Sequence, residues 1–209
     1  CVHALLNGAQ TLTLNSPLQS PVVVSSGKKL VIDARNTPVG RSVVVTASSV
    51  SGLGSTISYS SVQEVVILLA SGDDFVEFTS TLAGCTYTIE GGAGSDVYMF
   101  TGTGHDGLNA FEHTRMNIPE RNSSPGFDSL IVDNSRHPGA TVGFQSAARL
   151  SFGLARGEIQ FTGMEEITVD LGKGSDTWVV EGTPAGSQTT IFTAEGDDLV
   201  VVGTSSACH

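Results

Sequence analysis

Laid on itself with a shift of 102 residues, the chain aligns residues 57–101 with 159–203 without a gap. Leu69/Leu171, Gly72/Gly174, Asp74/Asp176, Ala83/Ala185, Gly84/Gly186, Ile89/Ile191, Gly94/Gly196 and Asp96/Asp198 are identical. The same shift pairs Leu6 with Leu108, Asn7 with Asn109, Asn15 with Asn117 and Pro17 with Pro119, and residues 30–33 match 130–133 after a two-residue slip. Self-similarity on this scale predicts one folding unit built twice. The expected units are residues 1–104 and 105–209, the second stacked on the first.

A shorter period runs inside each unit. Asp74 and Asp96 are 22 residues apart, as are Asp176 and Asp198, and the 41 residues from Asp33 to Asp74 and 43 from Asp133 to Asp176 are close to twice that. Strand-like runs follow the Gly-Asp turns: FVEFTS, VYMFTG, TWVVEG and LVVVGT, with TYTIEG and TTIFTA between them. Val, Ser, Thr and Gly are abundant, while Lys, Glu, Gln and Met are scarce, which favours strands and turns over helices. The expected fold is all-β, a parallel β-solenoid with 22-residue coils. Two antiparallel β-sandwich-like units are the alternative. In the solenoid, equivalent residues of successive coils lie about 4.8 Å apart. The segments TASSVSGLGS and QSAARLSFGLAR, in equivalent places, read as strand and loop, and the polar stretch 102–129 reads as a connection bulging from the stack.

Charge narrows the function classes. With 10 Lys plus Arg against 21 Asp plus Glu, the net charge is -11, so the chain repels phosphate backbones and nucleic acid is not an expected partner. Apolar runs such as 65–70 and 199–202 fall far short of the about twenty residues of a membrane helix, and no membrane insertion is expected. Of three cysteines, Cys1 and Cys208 sit near the two ends of the sequence, and an odd count points to pairing between molecules. Asn122 heads the sequon Asn122-Ser123-Ser124, a candidate glycosylation site.

The stretches GGAGSDVYM, GKGSDTWVV, EGDDLVVV and SGDDFVEF resemble the Gly/Asp-rich nonapeptide of RTX (haemolysin-type) calcium-binding repeats. The wider arrangement of strands and Gly-Asp turns is similar to modules found in tandem in large bacterial cell-surface and adhesin-like proteins. That resemblance implies an extracellular or cell-surface setting, a self-stacking β architecture, and calcium as a candidate ligand of Asp74, Asp96, Asp176 and Asp198. Cell-surface glycans are the other partner it suggests. This chain departs from the RTX pattern in spacing its turns by 22 residues, not 9, so any calcium has to bridge successive coils. Asp74 over Asp96, and Asp176 over Asp198, bring like charges together at a cost on the order of 1 kcal/mol in water. A cation or a backbone N–H relieves it; alternatively each aspartate serves its own turn.

An enzyme is not expected. The pairs Asp73/Asp74 and Asp197/Asp198 could supply the two carboxylates of a polysaccharide-cleaving site, about 5 to 9.5 Å apart, but their recurrence in both units marks a copied turn. His105-Asp106 is the remaining base-and-acid candidate; His3, His113 and His137 lie in no nucleophile or metal spacing. Tyr59, Tyr87, Tyr98 and Trp178 are assigned to the core. Neither end shows a cap, leaving TLTL (11–14), PVVV (21–24) and LVVV (199–202) free to pair. The expected function is therefore a structural subunit of a filament or surface fibre, joined head to tail and locked by Cys208 to Cys1. An adhesin repeat within a longer surface protein, binding calcium or glycan, is the alternative.

Overall fold

A computed structural model describes residues 2–4, 11–120, 126–153 and 157–203. Gly, Asp and Ser turns cut the described residues into twenty short strands. The first six are β1 (Val2–Ala4), β2 (Thr11–Asn15), β3 (Val22–Val24), β4 (Gly27–Asp33), β5 (Ser42–Val45) and β6 (Ser49–Ser51). Next come β7 (Ile57–Tyr59), β8 (Val62–Leu68), β9 (Phe75–Phe78), β10 (Thr86–Glu90), β11 (Val97–Phe100), β12 (Arg115–Pro119) and β13 (Ser129–Asp133). The last are β14 (Val142–Ser146), β15 (Arg149–Phe152), β16 (Gly157–Thr162), β17 (Glu166–Asp170), β18 (Thr177–Val180), β19 (Gln188–Phe192) and β20 (Leu199–Val202). One 3-10 turn, Gly107–Phe111, is the single helical element among the described residues, and no helix is long and apolar enough to cross a membrane.

The strands form two ten-stranded mixed sheets, and neither closes on itself. One runs β1-β3-β7-β6-β5-β9-β11-β13-β17-β19, the other β2-β4-β8-β10-β12-β16-β15-β14-β18-β20. Most pairings are parallel, and the 22-residue period is visible in their register: Phe75 pairs with Val97, Glu64 with Thr86, Glu166 with Gln188, and Thr177 with Leu199. A wholly parallel arrangement is not what forms, however. β6 and β15 each pair antiparallel with both of their neighbours, and each such hairpin keeps the chain in one sheet for two extra strands. The strand-and-loop reading of TASSVSGLGS and QSAARLSFGLAR corresponds to these hairpins.

The eighteen strand pairings repeat with a step of nine strands. β1·β3 recurs as β10·β12, β2·β4 as β11·β13, β5·β6 as β14·β15, and β9·β11 as β18·β20. Because the step contains an odd number of crossings between sheets, every strand and its equivalent lie in opposite sheets: β9 in the first and β18 in the second, β10 in the second and β19 in the first. Asn15 and Asn117 break this rule, since β2 and β12 share a sheet, so their match at a shift of 102 is coincidental. Asp33 also lies outside the aspartate series. It ends β4, pairs in register with Leu68, and binds Arg35, whose Nη2 donates at 2.6 Å.

Inward residues of both sheets meet in one core that runs without a break through the described chain. Neighbouring registers stack like on like: Phe78 and Phe100 lie 4.7 Å apart and nearly coplanar, with Tyr87 and Phe111 edge-on to them. Tyr59, Tyr87, Tyr98 and Trp178 are all buried, as expected. Trp178 lies across its register partner Gly143, where an added Cβ would fall 1.9 Å from the indole ring. The stretch 102–129 is not a simple bulge: its 3-10 turn buries Leu108 and Phe111, and it contains β12.

Candidate functional site

Parallel strands entered through a Gly-Asp turn leave one backbone group unserved. The carbonyl of the residue before each strand accepts from the first N–H of the neighbouring strand, as in Phe75 to Arg41, Val97 to Asp74, and Ser129 to Asp96. The N–H of that same residue falls outside the sheet ladder and, once buried, needs an acceptor.

A carboxylate on the next strand's turn supplies it. Arg41 N–H donates to Asp74 Oδ1 at 2.7 Å, Asp74 N–H to Asp96 Oδ1 at 2.8 Å, Asp96 N–H to Asp128 Oδ1 at 2.9 Å, and Asp128 N–H to Glu165 Oε2 at 2.7 Å. This column borders the first sheet, ahead of β5, β9, β11, β13 and β17. The second sheet has a shorter one: Thr141 N–H donates to Asp176 Oδ1 at 2.6 Å, and Asp176 N–H to Asp198 Oδ1 at 2.8 Å. The expected superposition of Asp74 on Asp96, and of Asp176 on Asp198, is thus present, and the relief of their repulsion comes from backbone N–H groups. Each carboxylate serves the neighbouring turn, and Asp176 serves its own as well through Gly172 N–H.

Asp74, Asp96, Asp128 and Glu120 are buried. Glu120 Oε1 accepts from Gly91 N–H at 2.9 Å and from the Tyr98 hydroxyl. A Cβ on Gly91 would lie 2.1 Å from Asp96 Oδ2 and 2.2 Å from the Tyr98 hydroxyl, so these groups share one small space. Burial raises Asp74 to about 6 and Asp128 to about 6, the Arg41 and Asp96 N–H groups respectively pulling the other way. Asp96 rises to about 7, first through burial and then through the charges of Glu120, Asp74 and Asp128. The Tyr98 hydroxyl is pushed up by burial and by Glu120. Oδ2 of both Asp74 and Asp96 is buried without a hydrogen-bond partner.

Calcium takes about six to eight oxygen ligands. Here one oxygen of each of Asp74, Asp96, Asp176 and Asp198 is committed to a backbone N–H, and Asp176 gives its other oxygen to Gly172 N–H at 2.9 Å. Among the described residues no three His, Cys, Asp or Glu side chains gather as a metal-holding group. Each of these four carboxylates is thus engaged with the backbone, while Oδ2 of Asp74 and of Asp96 stays without a hydrogen-bond partner.

Asp73, His105 and His137 are tied to the backbone as well. Asp73 Oδ1 accepts from Ser95 N–H at 2.9 Å, and the Asp197 N–H meets Ser175 Oγ at 3.3 Å. His105 Nδ1 faces the Arg136 carbonyl at 3.2 Å, and His137 Nδ1 the His105 carbonyl at 2.9 Å. Cys1, Cys208 and Asn122 lie outside the described residues. Cys85 is buried, and burial pushes its thiol up to about 11.

Sequence reasoning missed Arg41, Glu120, Asp128 and Glu165. The available signal was position: Asp74, Asp96 and Asp128 each stand immediately before the first residue of a strand. In comparison with known proteins, no family model matches the chain and no curated protein matches it.

Proposed function

We propose that the chain is a structural module, a parallel β-solenoid that extends by adding strands to the open edges of its two sheets, outside the cell or on its surface. The observation that carries this reading is the β19/β20 edge. Phe192, Leu199, Val200, Val201 and Val202 are all exposed, Val202 to 78%. One unit earlier, Tyr98 and Phe100 of β11 occupy the places of Val200 and Val202 and are fully buried beside β13. An uncovered apolar edge with free backbone groups is a template for a further strand, and covering it gains about 25 cal/mol per Å² of apolar surface.

The 22-residue returns between parallel neighbours support the solenoid form, and the commitment of the buried carboxylates to backbone N–H groups supports a structural role for the turns. The RTX-like turns are the basis for an extracellular or cell-surface setting. Within a longer polypeptide the same edge would be continued by the next strands of that chain.

Electron microscopy and sedimentation test the reading. Purified protein is expected to form threads, and a Val200→Asp/Val202→Asp variant to stay monomeric. A wild-type chain that remains a monodisperse monomer at high concentration overturns it.

A further inference from the structure

We infer that the partner at the β19/β20 edge is a second copy of this chain, docked through its β1/β2 edge in a single register. This rests on the structural reading above and adds the identity, polarity and alignment of the contact.

Sheet membership comes first. The nine-strand unit exchanges the two sheets, but the exchange happens twice between β1 and β19. β1 and β19 therefore lie in the same sheet, and β2 and β20 in the other. A second copy continues both sheets by translation, with no half-turn.

Side-chain phase agrees. In β2, Leu12 and Leu14 pair with Leu30 and Ile32; in β20, Val200 and Val202 pair with Trp178 and Val180, so all four face the core side of the same sheet. Docking sets Val200 beside Leu12 and Val202 beside Leu14, covering apolar side chains that are uncovered on one copy and only partly buried on the other. Val201 and Thr13 then meet on the outer face.

Charge fixes the polarity. Residues 1–41 carry Lys28, Lys29, Arg35 and Arg41 against Asp33 alone, a net of +3, with both lysines on β4 beside the edge strand β2, Lys29 paired with Glu64 at 2.8 Å. Residues 173–209 carry Asp176, Glu181, Glu195, Asp197 and Asp198 against Lys173 alone, a net of -4, and the last three of these acids lie between β19 and β20, Glu195 paired with Lys173 at 3.4 Å. Unlike edges attract and like edges repel, which also speeds the productive encounter.

Cysteine cross-linking tests this in a Cys1→Ser/Cys208→Ser background. Thr13→Cys and Val201→Cys proteins, mixed and treated with a short thiol cross-linker, are expected to give the mixed dimer. It should exceed the Val201→Cys homodimer by about tenfold, the ratio that about 1.4 kcal/mol of like-charge repulsion produces. Added salt should slow its formation. A dominant Val201→Cys homodimer overturns the polarity, and a product of Thr11→Cys or Asn15→Cys with Val201→Cys in place of the Thr13→Cys product overturns the register. Both of those results leave the structural reading standing. Absence of any dimer together with absence of threads removes both.

Discussion

The two carboxylate columns are built from the same turn and end in different electrostatic states. In each, the N–H before one strand donates to the carboxylate before the next, at distances between 2.6 and 2.9 Å. In the longer column Asp96 is wholly buried between Asp74 and Asp128, with Glu120 close by, and sits at about 7. In the shorter column burial also raises Asp176, but N–H groups of Thr141 and Gly172 occupy both its oxygens and hold it down, and Asp198 stands on an edge strand's turn. The local sequence sets the hydrogen bond; burial and the neighbouring charges set how far Asp96 and Asp176 are raised. Isolated carboxylates lose about 1.4 kcal/mol of charged-state preference per pKa unit raised, so the two columns should respond differently to the same perturbation.

The largest difference is expected from deleting the acceptor. Asp96→Ala strands the Asp74 N–H and leaves a void, costing about 2–4 kcal/mol in urea unfolding, whereas Asp198→Ala should cost less than about 1 kcal/mol. Equal losses would dissolve the contrast between the columns. Next in size is Gly91→Ala, whose new methyl group collides with Asp96 Oδ2 and the Tyr98 hydroxyl, for about 1–3 kcal/mol.

Acidity should separate the columns more finely. Asp74, Asp96 and Asp128 are raised above the roughly 4 of an unfolded aspartate, so the folded chain holds their protons more tightly. Their stabilisation is complete below about pH 4 and is lost as pH climbs through about 6 to 7. The melting temperature should therefore rise between pH 8 and pH 5. Asp96→Asn, which keeps the acceptor and removes the charge, should flatten that rise. An identical pH profile for wild type and Asp96→Asn would contradict the assignment. The smallest effect is expected from calcium: millimolar calcium or a chelator should leave the melting temperature where it was, and a marked calcium-dependent rise would place a cation in the turns.

How much of this was legible in the sequence follows from spacing. Asp74/Asp96 and Asp176/Asp198 stand 22 residues apart with nothing inserted between them, so their juxtaposition could be read directly. Asp128 follows Asp96 by 32 residues because the 3-10 turn and β12 intervene, Glu165 follows Asp128 by 37 because of the β14–β16 hairpins, and Arg41 precedes Asp74 by 33 because of β5–β7. A search at fixed period passes over all three. Glu120 escapes for another reason: from the residue after β12 it reaches Tyr98 of β11 in the opposite sheet, a contact made across the core and not along the chain. The β-rich character and the buried aromatics were plain from composition and alternation. The exchange of sheets was not, because it depends on counting β6 and β15, short strands whose Ser- and Gly-rich surroundings give little propensity signal.

An odd number of crossings per unit makes duplication bilateral. Whatever solvent-facing patch the ancestral unit displayed, its twin looks out from the reverse side, so the two cannot merge into one broad platform. A substitution acquired by a single unit decorates one flank, and only units an even number apart line up along it.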